Sequence, residues 1–270
     1  METNGTEHTT RAIGVIGGMG PYAGLDLVRK IFDNTVAGTD QDHLPVALLS
    51  YPHLIIDRST YIFGQTKENP ALALADIARK LEAAGAVVAA MPCNTAHAPM
   101  IFDVIGEELY RTGHKIRMLS MIDEAARFVR DEMDGVQRVG VISTMATYKL
   151  GLYTKALEAA GIEPVLPDED VEEHLVNRTI FDPNFGIKAK ANPVTHTARQ
   201  NLLDAIGHLQ QKGAETVILG CTELPLAITE SQIGSVTMID PTVVIARALI
   251  RETYPHKLLP LQMHVPAGEI

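Results

Sequence analysis

Ala86-Val87-Val88-Ala89-Ala90-Met91-Pro92-Cys93-Asn94-Thr95-Ala96-His97 is an apolar run that stops at a proline, a cysteine and a polar turn. It has a counterpart downstream in Val217-Ile218-Leu219-Gly220-Cys221-Thr222-Glu223-Leu224-Pro225. A short apolar run closed by turn residues reads as a strand buried on both faces. Cys93 and Cys221 are the only two cysteines in the chain. The upstream segments repeat too, Gly14-Val15-Ile16-Gly17-Gly18-Met19 against Gly140-Val141-Ile142-Ser143-Thr144-Met145. The stretch from each of these to its cysteine is nearly the same length. A duplicated unit presenting one thiol per copy predicts one site between two halves.

Working outward, short β-branched runs alternate with longer amphipathic stretches. Strands are expected over 12–17, 46–50, 86–91 and 115–119, then over 138–142, 164–166, 215–219 and 236–239. Helices are expected over 24–36, 70–84, 96–110, 147–160, 168–179 and 196–211, with a final one opened by Asp240-Pro241. Pro21 suits a first helical turn, where its missing N–H is not needed. Residues 181–193, with Asp182-Pro183-Asn184 and Asn192-Pro193, read as a loop. Strands alternating with helices give an α/β fold with parallel sheets flanked by helices. In such sheets ligands bind beyond the carboxyl ends of the strands. Both cysteines, Gly18-Met19-Gly20 and Ser143-Thr144 fall at such ends. The expected division is a first domain of 11–119 plus 227–270 and a second of 120–226.

The chain has 270 residues, 46% of them hydrophobic, enough for a core in two modest domains. A net charge of −10 argues against a nucleic-acid surface, which needs clustered Lys and Arg. It leaves room for a small anionic substrate in a local basic pocket. No stretch approaches a membrane span. The first ten residues carry no apolar signal segment, so a cytoplasmic setting with free thiols is expected. Asn4-Gly5-Thr6 and Asn177-Arg178-Thr179 match the glycosylation triplet by chance in that setting. Two cysteines without a C-x-x-C pair fit neither a metal cluster nor a disulfide framework.

A lone cysteine in a strand is usually a small buried hydrophobe. Here both stand at the end of the apolar run, followed by Asn94 and Thr95 in one copy and Thr222 and Glu223 in the other. These positions read as helix N-termini, which favour anions and lower a thiol's pKa. Two opposed thiols suit proton transfer at carbon: a thiolate removes a proton from one face and a thiol supplies one to the other, inverting the centre. The carbanion-like transition state needs donors aimed at the substrate's α-carboxylate. Asn94, Thr95, Thr144, Thr222 and nearby backbone N–H groups are suitable. Gly18-Met19-Gly20-Pro21-Tyr22-Ala23 matches a dinucleotide-binding pattern, but no acidic residue ends the second strand. Met19 and Gly20 fit better as backbone approaching a small ligand. His97 reads as a structural or supporting hydrogen-bond donor. Arg58 and Lys188 are either solvated loop charges or carboxylate binders.

Taken together, these motifs resemble the cofactor-independent aspartate/glutamate racemase family. Pro92-Cys93-Asn94-Thr95-Ala96-His97 and Gly220-Cys221-Thr222-Glu223-Leu224-Pro225 carry the resemblance. Gly17-Gly18-Met19-Gly20-Pro21, Ile56-Asp57-Arg58-Ser59 and Phe185-Gly186-Ile187-Lys188 look like its aspartate-racemase branch. The resemblance implies two pseudo-symmetric domains with the active site in the cleft between them. It implies a two-base mechanism free of pyridoxal phosphate, with Cys93 and Cys221 as alternating acid and base. It implies that Arg58 and Lys188 hold the side-chain carboxylate and that Asn94, Thr95, Thr144 and Thr222 surround the α-carboxylate. Glu223 stands where glutamate racemases carry His. The partner implied is a small acidic amino acid, aspartate or glutamate, with no cofactor and a homodimeric assembly. Three alternatives stay open: a non-catalytic two-lobed dicarboxylate binder, a related two-cysteine isomerase of maleate or hydantoin type, and a thiol redox pair. A cleft that admits substrate argues against the last, by separating the sulfurs.

Overall fold

The computed structural model describes residues 11–261. The expectations for residues 1–10 and 262–270 lie outside them. Among the described residues nine strands form two sheets: β1 Ala12–Gly17, β2 Val46–Ser50, β3 Ala86–Ala90, β4 Arg117–Met118, β5 Arg138–Ser143, β6 Glu163–Val165, β7 Thr216–Gly220, β8 Gln232–Ile233 and β9 Val236–Ile239. The first sheet has the order β2-β1-β3-β4 and the second β6-β5-β7-β9-β8. Every pairing is parallel except β8 with β9. The second sheet thus repeats the first and adds one antiparallel edge strand.

β1 is buried along its whole length, as expected of a strand covered on both faces. Its side chains alternate between two cores. Ile13 and Val15 pack with the helices Pro21–Asp33 and Pro241–Thr253. Ala12 and Ile16 face the helices Ala71–Ala83 and Pro99–Arg111. That second core runs on without a break to Val141 and Ile218 of the other sheet, so the two halves share it. The far face of the second sheet packs Val217 and Leu219 under helix His196–Gln211. Gly14 and Gly140 hold equivalent places. A Cβ on either would stand 2.9 Å from a side-chain carbon of the neighbouring strand, Ala89 or Val217. Both copies therefore need glycine where strand and covering helix meet closely.

The structure departs from the expected elements at several places. Residues 147–160 form two helices, Met145–Leu150 and Leu152–Ala159, because Gly151 adopts φ +60°. The helix expected from 96 starts at Pro99, after a 3₁₀ turn over Asn94–His97. The alternation pattern did not mark helix Met121–Glu132, which packs against both halves. The expected return to the first domain at 227 is also corrected. Residues 232–239 supply β8 and β9 of the second sheet, and the chain returns only with helix Pro241–Thr253. Backbone pairing of β9 with β7, not tail length, decides the matter.

In each sheet the connections from two adjacent strands diverge: β1 leads to β2 and β3 to β4, while β5 leads to β6 and β7 to β8 and β9. A crevice forms at the carboxyl ends of such a pair. Met19 follows β1 and Cys93 follows β3; Thr144 follows β5 and Cys221 follows β7.

Candidate active site

The two crevices meet in one pocket. Cys93, Cys221, Met19, Arg58, Asn94, Thr95, Thr144, Lys188, Thr222 and Glu223 all line it. Gly20 does not line it but backs onto it: a Cβ there would lie 3.2 Å from Glu223 Oε1. The cavity is ≈ 20 Å³, room for about one water molecule. Both cysteines are buried and free.

Local structure aims each group. Asp57 caps helix Arg58–Ile62 by accepting from Thr60 N at 2.9 Å, which places Arg58 in the first turn. Lys188 is turned inward as residues 187 and 188 bond back to Thr179 and Ile180. Thr144 caps helix Met145–Leu150. Neither cysteine stands at the start of an α-helix, contrary to expectation. Each is followed by a short 3₁₀ turn, Asn94–His97 or Leu224–Leu226; Pro99 begins the next α-helix in the first copy, and Pro225 lies inside the turn in the second. His97 Nε2 accepts from Met121 N at 3.1 Å, so Nδ1 carries the proton and donates to Cys93 O at 2.9 Å. Burial holds this imidazole below its ordinary pKa. The supporting role expected of His97 matches this geometry.

Polar contacts cross between the halves beside the pocket. Thr95 Oγ1 lies 3.0 Å from Thr144 Oγ1 and 3.1 Å from Thr147 Oγ1. Tyr153 Oη donates to Asn94 Oδ1 at 2.5 Å, and Thr222 Oγ1 donates to Pro92 O at 3.2 Å. Asn94 Nδ2 and Arg58 Nε are buried without partners among the described residues. These are two donors on pocket-lining side chains.

The charges are arranged unequally around the thiols. Lys188 Nζ donates to Glu223 Oε1 at 2.6 Å, and Cys221 Sγ donates to Glu223 Oε2 at 3.1 Å. Burial pushes Glu223 upward, but the Lys188 charge and these bonds outweigh it and hold the carboxyl below its usual range. Burial lowers Lys188, yet Glu223 and Cys221 keep it above its ordinary value. Burial and the Glu223 carboxylate push the Cys221 thiol well up, reversing the lowered value expected from sequence. Arg58 stands beside Cys93; burial opposes its charge, and Cys93 and Asp57 more than restore it. So a carboxylate faces one sulfur and a guanidinium the other.

Phe181 and Tyr153 belong to the site but carry no motif. Each reaches in from a helix or helix end whose sequence shows only an ordinary aromatic. Among the described residues no group of His, Cys, Asp and Glu is placed to hold a metal ion. None of the described helices is long and apolar enough to cross a membrane.

The family model for Asp/Glu/Hydantoin racemase matches residues 16–249, most of the chain. The chain belongs to this family. The expectation of an amino-acid racemase is met at that level. Solved relatives agree in fold and in extent. An aspartate racemase from Picrophilus torridus superposes with a TM-score of 0.73 at 29% identity, covering 93% of this chain and 96% of that one. An aspartate racemase homologue from Pyrococcus horikoshii gives 0.69 at 28% identity, covering 90% and 99%. Among characterised sequences, the broad-specificity amino-acid racemase of Bacillus subtilis is 25% identical over 244 residues, 88% of this chain and 96% of the relative.

Proposed function

We propose that this racemase inverts the α-carbon of aspartate, glutamate or both by a two-base mechanism using Cys93 and Cys221. The observation that carries the reading is a single pocket lined by two free thiols and two cationic side chains, Arg58 and Lys188. One cysteine, as thiolate, takes the α-proton. The other, as thiol, delivers a proton to the opposite face, so one proton enters as one leaves and the configuration inverts. Cys221, whose thiol donates to the Glu223 carboxylate, holds its proton and is the donor. Arg58 gives a thiolate at Cys93 its counter-ion. Asn94 Nδ2 and the Thr95 and Thr144 hydroxyls are the donors for the α-carboxylate, into which the developing charge spreads, and the Thr222 hydroxyl joins them by turning from Pro92 O. Arg58 and Lys188 take the side-chain carboxylate, which competes with Glu223 for Lys188.

The test is α-proton exchange in D₂O without added cofactor, for both enantiomers of aspartate and glutamate and a panel of neutral amino acids. Exchange with an acidic amino acid is expected, together with its loss in Cys93→Ser and in Cys221→Ser by more than about a thousandfold. Absence of exchange with every acidic substrate rejects the reading. Unimpaired turnover in either serine variant rejects the two-thiol mechanism.

A further inference from the structure

Behind the Thr144 edge of the pocket, residues Glu172–Asn177 form a π-helical turn. Such turns often accompany functional positions because they re-aim side chains. Glu172 is fully buried, although nothing in the reaction described above uses it. Its Oε1 accepts from Ser143 N at 2.9 Å and lies 3.1 Å from Ser143 Oγ. At the other end of the turn, Asn177 Oδ1 accepts from Met145 N at 3.0 Å. The two side chains therefore hold both neighbours of Thr144. Thr144 in turn meets Thr95 across the pocket, two residues from Cys93.

Glu172 Oε2 is buried and has no partner among the described residues. The charged groups around it give no compensation. Glu173 is a second acid close by. The Tyr148 hydroxyl donates to Pro167 O. On the adjoining elements Lys149 pairs with Glu169, Arg178 with Asp182, Lys212 and His208 with Asp168, and Arg199 with Glu230. A carboxylate here would keep a buried charge with no cation, whereas the acid leaves at most one O–H unmet. Burial accordingly pushes the group up to about 8, against the pull of the Ser143 bonds.

We propose that Glu172 is a positioning residue that works as a neutral carboxylic acid, fixing the Ser143–Thr144–Met145 turn against the substrate's α-carboxylate. The role in substrate binding rests on the racemase reading. The neutral state does not.

Two measurements test it. In the first, KM and kcat are followed from neutral to alkaline pH for the parent, Glu172→Ala and Glu172→Gln. Alanine is expected to raise KM about tenfold, with a smaller change in kcat. Glutamine keeps the acceptor without the charge and restores KM. The parent's KM climbs through about pH 8 while that of the glutamine variant does not. Parallel pH profiles for parent and glutamine variant, or failure of glutamine to rescue, overturn the proposal. In the second, urea unfolding of parent and glutamine variant is compared across pH. A carboxyl raised from 4.5 to about 8 binds its proton more tightly in the folded state. The parent should therefore lose stability relative to Glu172→Gln as pH rises between those values, and level off above them. A flat difference shows an ionised Glu172 and ends the proposal, whatever the activity. A parent without turnover on any acidic amino acid would instead defeat the racemase reading.

Discussion

Glu223 reaches Lys188 through one oxygen and the Cys221 thiol through the other. The state of Cys221 is thus set by two effects of the same sign, burial first and then the neighbouring carboxylate. Glu223→Gln removes the second effect and frees the Lys188 charge, which also favours the thiolate. The onset of Cys221 alkylation should move to lower pH, with several-fold faster labelling at a fixed alkaline pH. Mass spectrometry of the separate cysteine peptides reads this directly. Unchanged or slower labelling of Cys221 would contradict the charge assignment. This coupling explains which residues could be read from sequence. Cys93, Cys221 and their polar neighbours stand at strand ends, where position alone announces a ligand-facing role. Arg58 and Lys188 read from sequence as either solvated charges or carboxylate binders, and both line the pocket that holds the thiols. Glu172, Phe181 and Tyr153 could not be read, because their importance lies in what they touch across the fold.

Helix Pro241–Thr253 closes the first half from the far end of the chain, and its first turn carries the joint. Asp240 Oδ1 accepts from Thr242 N at 2.8 Å, capping the helix, while Oδ2 pairs with the buried Lys30 of helix Pro21–Asp33. Asp26 is the second carboxylate on Lys30. Asp240→Ala removes the cap and one of two counter-charges, an expected cost of roughly 1–3 kcal/mol. Asp240→Asn keeps the capping acceptor and should lose about half as much. Equal losses in urea unfolding would show that the cap contributes nothing. Asp240-Pro241 announced this helix plainly, since cap and first-turn proline are local features. The other strands were legible as local apolar runs, whereas the two-residue edge strand β8 carries no such run. The breaks at Gly151 and Pro99 were less so, as the apolar pattern runs through them. The π-helical turn was invisible, because no local residue pattern marks it and its contacts to Ser143 and Met145 lie about thirty residues away in sequence.

At the scale of the whole molecule, the internal repeat in the sequence is a repeat of sheet order, with each thiol at an equivalent crevice. The site between the halves followed from that duplication. The point of return did not, since Val236–Ile239 reads as a strand without saying which sheet receives it. The halves are tied at the pocket by polar contacts, of which Tyr153 Oη to Asn94 Oδ1 is fully buried. With room for about one water, the pocket has to widen for an amino acid to enter, and these contacts lie where it would part. Tyr153→Phe removes the donor and strands the Asn94 oxygen, at an expected cost of about 1–3 kcal/mol. The loss should be local, because the phenyl ring still fills the shared core. Hydrogen exchange is therefore expected to accelerate at residues 92–97 and 143–147, with the central strands β1, β3, β5 and β7 keeping their protection. Uniform acceleration through both sheets would show Tyr153 to be a core residue only. Unchanged exchange at the two turns would show that the halves are not held together there.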